Sequence, residues 1–158
     1  MRRILFVVAG FAVLAILGWQ VRDAEALIAS GEVVMLELAP VDPRSLMQGD
    51  YMRLAYAIER RTIATEDPAP TLILTVDGRG IATFARLAKD GAAGTGERAF
   101  TAKRQGSGDR ITVEPHSFLF QEGRADAFAK ARFGIFRVDP EGRHLLVGLA
   151  DADGRRIE

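Results

Sequence analysis

The front of the stretch PVDPRSLMQGDYMRLAYAIE, Pro40 to Glu59, brings together a guanidinium, a hydroxyl, a carboxylate and a phenol at Arg44, Ser45, Asp50 and Tyr51. A serine becomes a nucleophile only when a base within hydrogen-bond reach takes its proton. Such bases are scarce in this chain. His116 and His144 are its only histidines, and no lysine precedes Lys89. Ser45, Asp50, Tyr51 and His116 are the set from which an envelope hydrolase would have to be built. Turn chemistry accounts for the same residues without catalysis. Asp42 or Ser45 can cap one helical turn through Leu46, Met47 and Gln48, and Gly49 can end it with a left-handed backbone. Asp50 can accept hydrogen bonds from turn amides, with Tyr51 lying over it. No catalytic residues are assigned.

Metal and thiol chemistry are not expected. The chain has no cysteine, and its two histidines lack the carboxylate or histidine spacing of a metal shell. DADG, Asp151 to Gly154, resembles a fragment of a calcium loop, but the later ligands and closing glutamate are missing, so it reads as a terminal turn. No cofactor is expected. His116, between Pro115 and Ser117, reads as a loop or strand-edge residue, and His144 as one on an exposed strand face. Phe118, Phe120, Phe128, Phe133 and Phe136 read as core. The other reading of these rings is a groove for a small apolar ligand, which would make the protein a carrier or sensor.

The elements that must position these groups follow from periodicity. In DYMRLAYAIE the side chains alternate, so Met52, Leu54, Tyr56 and Ile58 form a core face and Tyr51, Arg53, Ala55 and Ala57 the other. Val34, Leu36 and Leu38 alternate with Met35 and Glu37 in a strand with one better-buried face, closed by prolines at 40 and 43. RRTIATEDPAP reads as a loop. TLILTVDGRGIATFARL predicts a hairpin turning at Asp77-Gly78-Arg79-Gly80. The glycine-rich segments Ala88 to Ala99 and Lys103 to Arg110 read as loop tips, with short strands at Phe100 to Lys103 and Arg110 to Glu114. EGRADAFAKAR predicts a short amphipathic helix with Ala125, Phe128 and Ala129 on one face. FGIFRV and RHLLVGL predict a second hairpin around Asp139-Pro140-Glu141-Gly142, and both hairpins begin their turn with Val-Asp.

At the N-terminus Arg2 and Arg3 precede ILFVVAGFAVLAILGWQV, Ile4 to Val21, which carries no charge and as a helix would span roughly 27 Å at about 1.5 Å per residue. That length crosses a bilayer. The positive-inside rule keeps the arginines cytoplasmic, and Trp19 suits the far interface. Ala24 and Ala26 would suit a cleaved leader, but the length of the apolar run and the charges at Arg22, Asp23 and Glu25 favour an uncleaved anchor. VRDAEALIASGE continues the helix as a spacer. With 21 basic and 21 acidic residues in 158, and no block of either sign, there is no footprint for nucleic acid.

Gly49-Asp50-Tyr51-x-x-Leu54-x-Tyr56 reproduces in full the pattern of the bacterial GDYXXLXY protein family, and Val41-Asp42-Pro43-Arg44-Ser45-Leu46 resembles that family's lead-in. The Val76 to Gly80 hairpin, FLFQEGRADAFAKA and FRVDPEGRHLLVGLADADG are similar to its later segments in order and character. The resemblance implies a bacterial envelope protein with one membrane helix, encoded near multi-spanning membrane proteins, and it brings no catalytic residues. Gln48 stands where the family often has a basic residue. LMQGDYMRL also resembles a stretch of the signal peptidase family, but the upstream serine and proline at that family's spacing are absent.

The sequence therefore predicts an α+β protein in three parts: a cytoplasmic tip and transmembrane anchor over 1–21, a helical stalk over 22–31, and a mainly antiparallel β domain of short strands and hairpins, with one short amphipathic helix, over 32–158. It would sit in the inner membrane with its N-terminus inside and its β domain periplasmic. There it would act as a non-enzymatic interaction domain for a multi-spanning membrane protein, with Arg44, Gly49, Asp50, Tyr51, Leu54 and Tyr56 as the candidate docking motif. Oligomeric state is not set by the sequence.

Overall fold

The computed structural model describes residues 2–39, 51–88, 93–106 and 109–158, leaving aside the side chains of residues 2–5 and Val7. Arg44, Ser45, Gly49 and Asp50, the capped turn expected at Asp42 to Gly49, and the chain from Lys89 to Ala92 lie outside the described residues.

Helix α1 runs from Arg2–Ser30 without a break. Along its first five turns the described large apolar side chains are exposed, Phe6, Phe11, Leu14 and Trp19 among them. The β domain begins one residue beyond it. Strands β1 (Glu32–Glu37), β9 (Phe133–Val138) and β10 (His144–Ala150) form an antiparallel sheet in the order β1-β9-β10. Strands β3 (Thr71–Val76), β4 (Ala82–Leu87) and β5 (Glu97–Thr101) form a second, ordered β4-β3-β5. Two ribbons complete the fold, β2 (Tyr51–Arg53) with β8 (Ser117–Leu119) and β6 (Lys103–Arg104) with β7 (Ile111–Thr112). A 3₁₀ turn at Ala57–Arg60 and a one-turn helix α2 at Ala125–Phe128 are the remaining helical pieces. Among the described residues, no helix is long and apolar enough to cross a membrane.

The main core lies between the two three-stranded sheets, where Val34, Leu36, Leu72, Leu74, Phe100, Phe136, Val138 and Leu149 meet. The Phe100 and Phe136 rings pack edge to face at 5.4 Å between centroids, the arrangement that aromatic quadrupoles favour. The alternation expected in β1 holds for this face, but Met35 on the other face is also buried. Its N–H donates to the Gly80 carbonyl at 2.8 Å, so the β3–β4 turn covers it, and Ile135, Ala150 and Phe133 pack beside it.

The expected hairpins form, and the turn they share occurs three times. Asp77, Asp139 and Asp151 each donate their own N–H to the carbonyl four residues on, at Ile81, Arg143 and Arg155, while accepting a bond from Gly80, Gly142 or Gly154. The aspartate carboxylates bind the amides of Ile81, Arg143 and Arg155 as well. DADG is thus a third copy of the Asp-x-x-Gly turn. Two expectations need correcting. β5 begins at Glu97, inside the segment read as a loop tip, because it pairs with β3 from Thr75↔Glu97 onward. In α2 Phe128 is buried but Ala129 is exposed, since one helical turn is too short to carry the predicted face.

The segment read as a spacer packs on the β domain. Leu27 is buried. Arg143 Nη1 donates to Asp23 Oδ2 at 2.6 Å and its Nε to Asp139 Oδ2 at 2.6 Å. Arg137 Nη1 reaches the Gly31 carbonyl at 2.8 Å, and Arg98 pairs with Glu32.

Candidate functional site

The described part of the motif, Tyr51 to Glu59, lies antiparallel along Val113 to Leu119. β2 pairs with β8 as Tyr51↔Leu119, Met52↔Phe118 and Arg53↔Ser117. The Leu54 N–H then donates to the His116 carbonyl at 2.7 Å, and the Tyr56 hydroxyl to the Pro115 carbonyl at 2.9 Å. Glu59 completes the grip. Its carboxylate accepts from the Val113 amide at 2.7 Å and from the Tyr56 amide at 3.2 Å. Met52, Leu54, Tyr56 and Ile58 are all buried, as alternation requires, although the strand ends at Arg53 and Ile58 sits in the 3₁₀ turn. Burial, then the nearby Glu59 charge, pushes the Tyr56 hydroxyl well above the usual phenol range, so it stays a donor at physiological pH. The second half of the motif is a clamp on the 113–116 segment.

That segment forms one wall of a cleft of about 530 Å³, lined by Thr101 to Lys103, Thr112, Glu114, Pro115 and Arg143 to Leu146. Lys103 Nζ lies 2.7 Å from Glu114 Oε2 and holds that carboxyl below the usual carboxylate range. Arg143 is already paired with Asp23 and Asp139. At the inner end the His144 ring stacks on Phe100 at 3.9 Å and meets the edge of Phe136 at 5.4 Å. Its Nδ1 and Nε2 are each 3.3 Å from a carbonyl oxygen, those of Gly142 and Glu114. Burial is the largest influence on this imidazole and lowers its pKa. A neutral ring carries one N–H and can donate to only one of the two carbonyls.

The histidines differ from each other. His116 is half-exposed beside the clamp, with Nε2 2.6 Å from Thr112 Oγ1 and 3.5 Å from Glu59 Oε1. In a hydrolytic triad the nucleophile and carboxylate take opposite ring nitrogens, whereas here both groups approach Nε2. His144 corrects an expectation: it faces the core aromatics rather than an exposed strand face, because its register partner is Val138 on the buried side of β9. The five phenylalanines divide. Phe136 is in the main core, Phe133 lies against the smaller cluster on the other face of the sheet, and Phe118 and Phe120 pack on Phe128 at 5.4 and 5.0 Å. Tyr51 is half-buried in β2. Glu59, Lys103, Glu114 and Arg143 were not singled out by sequence. Glu59 alone had a local signal, a carboxylate three residues after Tyr56 that can turn back onto its amide. Among the described residues no group of three or more histidine, cysteine or acidic side chains could hold a metal ion.

The architecture defines the class, a mainly antiparallel β domain carried on one long helix, with its motif clamping the segment that forms one wall of a surface cleft. A family model described as GDYXXLXY protein matches residues 13–149, from within α1 to the penultimate residue of β10. The chain belongs to the GDYXXLXY protein family. No curated protein and no solved structure matches it.

Proposed function

We propose that the protein is a single-pass, membrane-tethered interaction domain, with its N-terminus inside and its β domain on the periplasmic side, acting beside a multi-spanning inner-membrane protein. The observation that carries this reading is the surface of α1. From Phe6 to Val21 its large apolar side chains, Val7 aside, are exposed on all sides, and a helix apolar all round calls for an apolar surrounding. The described portion alone falls short of a membrane crossing. The tether reading therefore uses the whole sequence run Ile4 to Val21, including the side chains of Ile4, Leu5 and Val7 that are not described. Tethering confines the β domain near a membrane partner and raises its effective concentration there.

The test is in-cell crosslinking of the tagged full-length protein, followed by membrane extraction and purification. Capture of one multi-spanning membrane protein supports the reading. Recovery of the monomer alone removes the partner, and release of the chain from membranes by alkaline carbonate removes the tether. Because the chain has no cysteine, single cysteines at Arg3 and Glu141 report sidedness directly. Only the second should react with a membrane-impermeant maleimide applied from the periplasm.

A further inference from the structure

Strand β10 is the edge of its sheet, and its two halves are treated differently. The last residues of the chain cover the far half: Ile157 donates to the Leu149 carbonyl at 2.9 Å, Arg156 bridges Ala150, and Arg156 Nη2 caps the Val147 carbonyl at 2.8 Å. The near half borders the cleft. Among the described residues, His144, Leu145 and Leu146 make no backbone hydrogen bond beyond their pairing with β9. Asp139 donates to the Arg143 carbonyl across the turn, so ladder alternation directs Leu145 toward β9 and turns the N–H and C=O of His144 and Leu146 to the open side.

We propose that this near half takes an extended, weakly charged peptide segment of the partner as an added strand seated in the cleft, a reading that rests on the interaction role above. Three features select that occupant. An open sheet edge offers alternating donors and acceptors that only another extended backbone matches in register. The two cations lining the cleft, Lys103 and Arg143, already have carboxylate partners, so no net positive charge is left to hold an anion. Leu145, Leu146 and Pro115 give the lining its apolar part, which suits alternate side chains of an added strand. The chain already demonstrates the mode on the same edge, where its own Arg156 and Ile157 pair. Through Arg143 the cleft adjoins Asp23, one helical turn beyond Trp19, within reach of a partner's loop close to the membrane.

Full-length protein in phosphatidylethanolamine–phosphatidylglycerol nanodiscs is panned against random linear peptides about ten residues long, and the enriched peptides are synthesised. The expected peptides carry low net charge and alternate apolar residues. Methylating their amides one at a time abolishes binding with a period of two, and bound peptide slows amide exchange at Leu146 tenfold or more. Leu145→Arg weakens binding at least tenfold. The proposal is overturned if enrichment is equal on Leu145→Arg, if N-methylation has no effect at any position, if the peptides are highly charged, or if exchange at Leu146 is slowed by lipid alone. A partner captured in cells, together with failure here, overturns strand addition and leaves the tethered role standing. Peptide binding without a cellular partner supports strand addition by the edge and removes the multi-spanning partner as its source.

Discussion

Replacing Tyr56 separates its two contributions. The side chain has no exposed surface. Its ring packs on Phe136 at 5.6 Å between centroids, and a methyl added at Gly134 would lie 3.2 Å from Tyr56 Cε1. Tyr56→Ala therefore opens a core cavity and should cost about 3–5 kcal/mol, as for other large aromatic residues. Tyr56→Phe keeps the packing and removes only the bond to the Pro115 carbonyl. That bond is only partly buried, so water can replace the lost donor, and the cost should be about 0.5–1.5 kcal/mol. At roughly 4 °C per kcal/mol for a domain of this size, the melting temperature should fall about 12–20 °C for alanine and about 2–6 °C for phenylalanine. Calorimetry of the full-length chain in detergent reads both. Equal losses in the two variants would refute the division between ring and hydroxyl. A loss below about 1 kcal/mol for alanine would refute the core assignment.

Other consequences can be measured in the same preparation. Gly142 has φ of +90°, and an added Cβ would come within 3.1 Å of the Ala99 and Phe100 backbone; Gly142→Ala should cost more than about 1 kcal/mol, while Gly78→Ala, in open space, should stay within about 0.5 kcal/mol. His144 has a lowered folded pKa, so the unfolded chain binds its proton first. Stability should decline as pH falls through the ordinary histidine value near 6.5 and level off below the folded value, and His144→Phe should remove that component from a melting-temperature profile. Asp23→Ala, at an exposed ion pair, should change stability by less than about 1 kcal/mol. Combined with Leu27→Ala it should broaden the spin-label distances measured between α1 and the β domain; an unchanged distribution would show that other contacts hold the junction.

The parts legible from sequence were those governed by local periodicity and turn chemistry. The β3–β4 and β9–β10 hairpins followed from Asp-x-x-Gly turns between apolar runs, and the alternation from Met52 to Ile58 identified the buried face of the motif. β8 escaped notice because Ser117 to Leu119 is short and pairs with a strand more than sixty residues earlier, a contact that leaves no local trace. The cleft was hidden for the same reason: Lys103, Glu114 and Arg143 meet only when three separate connections fold together. His144, alternating with Leu145, looked exposed because its burial depends on Phe100, brought there by β5. The spacer reading of residues 22–31 treated a polar helical segment as unpartnered, whereas Leu27 is buried and Asp23 pairs with Arg143 on the distant β9–β10 hairpin.

The junction between α1 and the β domain has a mechanical consequence. A continuous helix, joined to the β9–β10 hairpin through Asp23 with Arg143 and Gly31 with Arg137, meets contacts that oppose independent bending of the two parts. If α1 lies in a bilayer as proposed, the protein would act as a lever whose fulcrum lies near Trp19. Apolar helices tilt to match the thickness of the surrounding hydrocarbon, so a thinner membrane would swing the whole β domain. For a point about 30 Å above the surface, a 10° change in tilt is a sideways displacement of roughly 5 Å, more than the rise of one residue along a strand. Membrane thickness would thus help set whether the cleft and a fixed neighbour come into register.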